Sequence, residues 1–273
     1  MQQARCSIIV PAYNEATRIP QTLDNILSFI QRKSWKAEII VVNDGSTDAT
    51  ADVVRAFRER FPSVVLVDNR TNQGKGRAIR AGVRLATAGI VLFTDADNST
   101  PIEEAEKLFD TIQNGADIAI GSRWVDRELQ VLPQPWYRRL NGRIYNRLLR
   151  AALGLEFQDT QNGFKAFTRD AANAIFSQQK IAGWGFDAEV LYLAQKLKLT
   201  VSEVPVEYVY CAEGSKIHPY RDGAKMLFEL FRVKWNALTG AYSFSQAQIQ
   251  SRNPYPGSPP IGIARRIKPY AQN

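Results

Sequence analysis

The feature that most constrains this chain is the alternation, through residues 7–121, of short β-branched runs with longer amphipathic stretches. Runs at 7–10, 38–43, 64–68, 90–94 and 118–120 read as strands. The spacing between them predicts helices over 17–32, 48–60, 76–87 and 102–114. Helical crossovers let successive strands lie parallel, so the pattern predicts an α/β fold: a Rossmann-like, mostly parallel sheet sandwiched by helices. After residue 122 the pattern changes. A loop marked by Pro133 and Pro135 leads to a basic helix over 137–152, then a Gly- and Asp-bearing loop over 159–163. A helix over 187–198, a strand over 201–208 and a C-terminal amphipathic helix over 222–238 follow. Beyond 243 the chain is rich in Gln, Ser, Pro and Gly. The expected division is one domain over 1–242 and a flexible tail over 243–273.

Composition narrows the function classes. Cys6 and Cys211 form neither a metal-like spacing nor a disulfide framework, which points to a reducing compartment. There is no run of 18 apolar residues, so no spanning helix is expected. The polar start and the early end of the apolar run at Pro11 predict no signal peptide, hence a cytoplasmic location. The net charge of +8 suits nucleic acid, an anionic membrane surface or phosphorylated substrates. One histidine, His218, argues against mechanisms that need a histidine pair.

In an open parallel sheet, ligands bind beyond the carboxyl ends of the strands. The polar signals fall there. Pro11-Ala12-Tyr13-Asn14-Glu15 follows the first strand, Asn43-Asp44-Gly45-Ser46 the second and Asp95-Ala96-Asp97 the fourth. An Asp at position 44 can accept from a base N–H or a ribose hydroxyl, or simply end a strand and cap a helix. Asp95-x-Asp97 is the metal candidate: two carboxylates on a sharp turn can hold Mg²⁺ or Mn²⁺ and leave places for diphosphate oxygens. Asn72-Gln73-Gly74-Lys75-Gly76-Arg77 is a Gly-flanked basic turn whose amides would suit a phosphate, though it lacks the Walker spacing.

These ordered motifs resemble the inverting family 2 glycosyltransferases, which have the GT-A fold. The later segments Asp159-Thr160-Gln161-Asn162-Gly163-Phe164-Lys165, Trp184-Gly185-Phe186-Asp187-Ala188-Glu189, Glu213-Gly214-Ser215-Lys216 and Leu238-Thr239-Gly240-Ala241 are similar to dolichyl-phosphate β-glucosyltransferases. The resemblance implies glucose transfer from UDP-glucose to a polyprenyl or dolichyl phosphate. It places Pro11, Ala12, Tyr13, Glu15, Asp44, Gly74 and Lys75 around the nucleotide. Asp95, Asp97 and Ser99 would hold Mg²⁺ or Mn²⁺ and the diphosphate. Arg123 and Lys216 would neutralise phosphates, and Asp159 sits where related enzymes have been assigned a base. Asp187 and Glu189 match the family's second acidic cluster, as catalytic groups or as caps and core hydrogen bonds.

A phosphate monoester has a second pKa near ~6 and is mostly a dianion at neutral pH. It already carries its nucleophilic oxygen, so Asp159 is expected to organise the site more than to remove a proton. Residues 122–150 hold seven arginines against two acids. Arg139, Arg143, Arg147 and Arg150 recur at helical spacing, apart from a Leu140, Ile144 and Leu148 stripe. That arginine face is either an ordinary solvated surface or a dock for anionic lipid headgroups, which would hold the enzyme peripherally on the cytoplasmic face of a membrane. In the 222–238 helix, Leu227, Leu230, Phe231, Val233, Trp235 and Leu238 suit either an interfacial helix or core packing. The alternatives are a GDP-mannose-dependent mannose synthase, a transferase with a soluble sugar acceptor and a nucleotide-binding module without catalysis. A nucleic-acid partner is not expected, because strand-end acids would repel a phosphate backbone.

Overall fold

The computed structural model describes residues 5–126, 128–132, 136–210 and 219–243. β1 (Arg5–Ala12), β2 (Lys36–Asp44), β3 (Val64–Asn69) and β4 (Ile90–Phe93) lie parallel, in the order β3-β2-β1-β4. Their crossovers are α1 (Ile19–Lys33), α2 (Thr50–Arg60) and α3 (Lys75–Leu85). A 3₁₀ turn over Ile102–Glu104 and α4 (Ala105–Gln113) then lead to β5 (Ile118–Ser122).

The sheet continues as β4-β7-β5-β8, and here the sequence pattern is incomplete. β7 (Lys165–Thr168) runs antiparallel to both β4 and β5, followed by α6 (Arg169–Gln178), whose first turn is capped by Thr168 Oγ1 accepting from Ala171 N. The expected strand over 201–208 is broken. β8 (Val201–Pro205) pairs parallel to β5, whereas β9 (Tyr208–Val209) leaves the sheet and pairs with β6 (Gln130–Leu132). The result is a seven-stranded, mostly parallel sheet.

Alternation along the strands builds a core on each face. Ile8 and Val10 pack with Leu23 and Phe29 of α1 and Leu108 of α4; Ile9, Ile40 and Val42 pack with Ile79 of α3, Ile175 of α6 and Leu191 of α7 (Phe186–Lys196). The second face also receives α5 (Trp136–Leu153) through Leu149 and Leu153, and α8 (Pro219–Leu238) through Leu230 and Val233. Tyr145, Ala152 and Ala237 are partly buried against the same core, whereas Leu140, Ile144 and Leu148 on α5, and Leu227, Phe228, Phe231, Trp235 and Leu238 on α8, are exposed. Among the described residues no helix is long and apolar enough to cross a membrane. Apart from Ser243, which hydrogen-bonds Gln178, the expected tail lies outside the described residues, as does Lys216.

Candidate active site

The parallel strands end on one edge of the sheet, and their exit loops are stitched together there. Asn14, in a left-handed turn at φ 53°, donates its N–H to Ser46 Oγ and accepts from Thr47 N through Oδ1. Tyr13 beside it is exposed, Pro11 half-buried and Ala12 buried. Glu15 accepts both guanidinium bonds of Arg18 at 2.6 Å, while its N–H donates to Thr50 Oγ1. Buried Asp44 accepts from Gln73 N, Gly74 N and Asn69 Nδ2, so it draws the 69–74 loop across the carboxyl ends of β2 and β3.

Three of the amides in the 72–77 turn are already engaged within the protein. Asp44 takes the N–H groups of Gln73 and Gly74, and Gly76 N donates to Ala182 O at 2.8 Å. Gly74, at φ 98°, is also pressed against Ala182: a Cβ there would lie 2.5 Å from the carbonyl oxygen. The cation delivered is the Lys75 ammonium. It sits 2.5 Å from Asp95 Oδ1 and over the rings of Trp184 and Phe186. Burial pulls the Lys75 pKa down, but Asp95 and Asp187 outweigh it and hold the ammonium above its ordinary range.

Asp95 and Asp97 sit on the turn after β4. Thr22 Oγ1 of α1 ties that turn down by donating to Ala96 O at 2.8 Å, and Asn98 completes it in the left-handed region at φ 55°. Ser99 N donates to Asp97 Oδ1 at 3.0 Å. Burial, and then repulsion from Asp95, push the Asp97 carboxyl above the usual carboxylate range. Gly163 is required at this point, since a Cβ would lie 2.1 Å from Asp95 Oδ2.

Antiparallel β7 explains how residue 163 comes to be there. Lys165 opens β7 and lies opposite both Phe93 and Ile120, so the loop before it falls at the carboxyl ends of β4 and β5. Asp159 on that loop is buried and grips Arg123, accepting from its Nε at 2.7 Å, its Nη2 at 2.8 Å and its backbone N at 3.0 Å. Burial raises the Asp159 carboxyl, but Arg123 overcomes this and leaves it below the usual range. Asp187, in the first turn of α7, faces the fully buried ammonium of Lys165 at 2.5 Å. Desolvation leaves the Asp187 carboxyl raised despite that partner. Glu189 points elsewhere, accepting from Lys180 N, Ile181 N and Tyr242 Oη.

The crevice therefore joins Glu15, Asp44, Asp95 and Asp97 to a second wall of Lys75, Arg123, Asp159, Lys165 and Asp187. The model for "Glycosyl transferase family 2" matches residues 7–176, more than half of the chain. The chain belongs to glycosyl transferase family 2. Within this family it is 35% identical to a dolichyl-phosphate beta-glucosyltransferase of Dictyostelium discoideum, over 86% of this chain and 76% of that one. The human dolichyl-phosphate beta-glucosyltransferase is 34% identical, over 89% and 78%. Among solved structures, mannosyl-3-phosphoglycerate synthase of Rubrobacter xylanophilus superposes with a TM-score of 0.66 at 18% identity, covering 94% of this chain and 79% of that one. Glucosyl-3-phosphoglycerate synthase of Mycobacterium tuberculosis, solved with Mn²⁺, UDP and glucosyl-3-phosphoglycerate, does so at 0.63 and 20%, covering 89% and 82%. The shared architecture is the GT-A fold, and this transferase is a hexosyltransferase by family.

Sequence reasoning missed Lys165 as a site residue. Its signal was a lysine at the mouth of a strand that the parallel pattern did not contain.

Proposed function

We propose that this family 2 transferase moves glucose from UDP-glucose onto a polyprenyl phosphate of the dolichyl type, with inversion at the sugar. The dolichyl-phosphate beta-glucosyltransferases it resembles supply the reaction class. The observation that carries the acceptor assignment is Asp159: a buried carboxylate already gripping Arg123 through three N–H groups is a poor base, which suits an acceptor that arrives ionised. In the reaction a phosphate oxygen attacks the anomeric carbon from the face opposite the diphosphate. The bond from that carbon to the β-phosphate oxygen breaks, and UDP leaves with the electron pair. No proton transfer is needed, so Asp159 positions Arg123 and Asp187 positions Lys165.

Asp95 and Asp97 fit a divalent cation. Among the described residues no three His, Cys, Asp or Glu side chains converge, so diphosphate oxygens and water would complete the coordination. Burial raises the Asp97 carboxyl first and repulsion from Asp95 adds to it, and a dication relieves that repulsion. Mg²⁺ or Mn²⁺ there would neutralise charge developing on the departing UDP. Lys75 lies on the same side, and Tyr13, Glu15 and Asp44 line the nucleotide end; Lys216 is proposed for the phosphates on sequence grounds.

The enzyme is proposed to meet its acceptor at the cytoplasmic face of a membrane through α8. Phe228, Phe231, Trp235 and Leu238 are 65%, 72%, 68% and 77% exposed, around a groove edged by Arg232 and Lys234. An apolar aromatic face with a basic flank is the composition of an interfacial helix. The arginine face expected on α5 is less suited: Arg147 and Arg150 are exposed, but Arg143 is drawn onto Trp124, and the Arg139 side chain lies outside the described residues.

Purified protein with polyprenyl phosphate and Mg²⁺ or Mn²⁺, offered a panel of UDP- and GDP-sugars, tests the reading by lipid-product mass. UDP-glucose should give the hexosyl phospholipid. Transfer from GDP-mannose with none from UDP-glucose would overturn the donor assignment.

A further inference from the structure

We propose that Arg143 belongs to the acceptor site, where its guanidinium, with the side-chain amides of Gln161 and Asn162, completes a cradle for a phosphate monoester beside Arg123. This rests on the lipid-phosphate reading above and assigns residues to it.

Arg143 lies on α5, and its guanidinium carbon stacks 5.2 Å from the ring centroid of Trp124, the residue after Arg123. Its Nη2 is buried without a hydrogen-bond partner. One turn further on the same helix, Asn146 donates to Gln158 O and accepts from Thr160 Oγ1 at 2.7 Å. This face of α5 therefore closes on the loop that carries Asp159. That loop holds two more buried, unpartnered donors, Gln161 Nε2 and Asn162 Nδ2. The Asn162 amide cannot flip to remove the vacancy, because its Oδ1 already accepts from Phe164 N at 3.2 Å.

All three atoms are N–H donors. A buried donor with no acceptor costs about 1–3 kcal/mol, and more when charged, so two on this loop and a third on the helix hydrogen-bonded to it call for a ligand that only accepts. The other unpartnered buried atoms among the described residues, Arg80 Nε and Gln179 Oε1, are associated elsewhere through the 2.8 Å bond from Arg80 Nη1 to Gln179 O. Charge points the same way. Arg123 is neutralised by Asp159, so a phosphate dianion at this wall needs a cation that no carboxylate among the described residues has claimed. Arg143 supplies it.

The test compares Arg143→Gln, Arg143→Lys and Arg147→Gln with wild type in detergent micelles. The last removes the same charge from an exposed position on the same helix. Arg143→Gln should raise the acceptor KM about ten- to a hundred-fold, the equivalent of a lost charge-assisted hydrogen bond. It should leave the UDP-glucose KM and the unliganded Tm within error, since it removes an unsatisfied group. Arg143→Lys should recover part of the loss, and Arg147→Gln should match wild type. A lipid headgroup and free phosphate present the same oxygens, so thermal stabilisation by polyprenyl phosphate and by inorganic phosphate is read as well. Both should stabilise wild type more than Arg143→Gln if the cradle reads phosphate alone; stabilisation by the lipid alone would add a requirement for the prenyl chain. Wild-type acceptor KM and stabilisation in Arg143→Gln, equal losses in Arg147→Gln, or parallel shifts in both substrates' KM would overturn the proposal. Absence of lipid product from wild type would sink the lipid-transfer reading instead, with phosphate stabilisation still deciding the role of Arg143.

Discussion

Asp159→Asn separates an organising carboxylate from a catalytic base. The side chain is buried and engaged by Arg123 through Nε at 2.7 Å, Nη2 at 2.8 Å and the backbone amide at 3.0 Å. The substitution is nearly isosteric but leaves the Arg123 guanidinium buried without its counter-charge. Breaking a buried pair on one side costs roughly 3–5 kcal/mol. At about 2–4 °C per kcal/mol for a domain of this size, Tm should fall by roughly 6–20 °C. Below that temperature kcat should drop by less than about tenfold, with most of the loss in acceptor KM, because general-base catalysis worth ~10²–10⁴ is not in play. The pH dependence follows from the direction of the shift. The folded-state pKa of Asp159 is depressed, so its stabilisation is present above the ordinary carboxyl value of about 3.9 and is lost as pH falls through the folded value. The Tm gap between wild type and variant should be constant near neutrality and close in acid. Scanning calorimetry from pH 3 to 8 with steady-state kinetics at pH 7 measures both. A kcat fall of about 10³ or more, with Tm and acceptor KM unchanged, would refute the reasoning and return Asp159 to the role of obligate base.

Asp97→Asn should abolish the enhancement of UDP binding by Mn²⁺ in calorimetric titration; undiminished enhancement would remove Asp97 from the metal site. Gly163→Ala should lower kcat about 10–10²-fold with little change in Tm, because the new methyl, 2.1 Å from Asp95 Oδ2, displaces the Asp95 carboxylate from its site beside Lys75 and not the core. Phe231→Ser with Trp235→Ser should reduce co-sedimentation with anionic vesicles at least several-fold while leaving turnover of acceptor in micelles near wild type; unchanged sedimentation would exclude α8 as the docking face.

The first half of the fold was legible because each local signal agreed with the global one. Five β-branched runs become β1 to β5, and Asp44, Asp95 and Asp97 stand where the strand-end rule puts them. The second half was obscured by its one antiparallel strand. β7 is only four residues long and begins with a lysine, so no period marks it. Without β7 in place, nothing in the sequence shows that Asp159, Gly163 and Lys165 lie against Arg123 and Asp95. The split of Val201–Pro205 from Tyr208–Val209 was hidden for a similar reason, as both pieces are β-formers and the change of sheet falls within a few residues. On α5 and α8 the apolar residues were visible, but which of them face the core depends on how the helices dock: Leu149 and Val233 turn inward, while Leu148 and Trp235 turn outward.

The central claim is that the acceptor brings its own ionised nucleophile. Polyprenyl phosphate and the matched polyprenol, in identical micelles with UDP-glucose and Mn²⁺, test this most directly by mass analysis of the lipid fraction. The account predicts glucosyl phospholipid from the phosphate and no glucosylated polyprenol. Glucosylation of polyprenol at a comparable rate would contradict it, because that reaction needs a base this crevice keeps tied to Arg123.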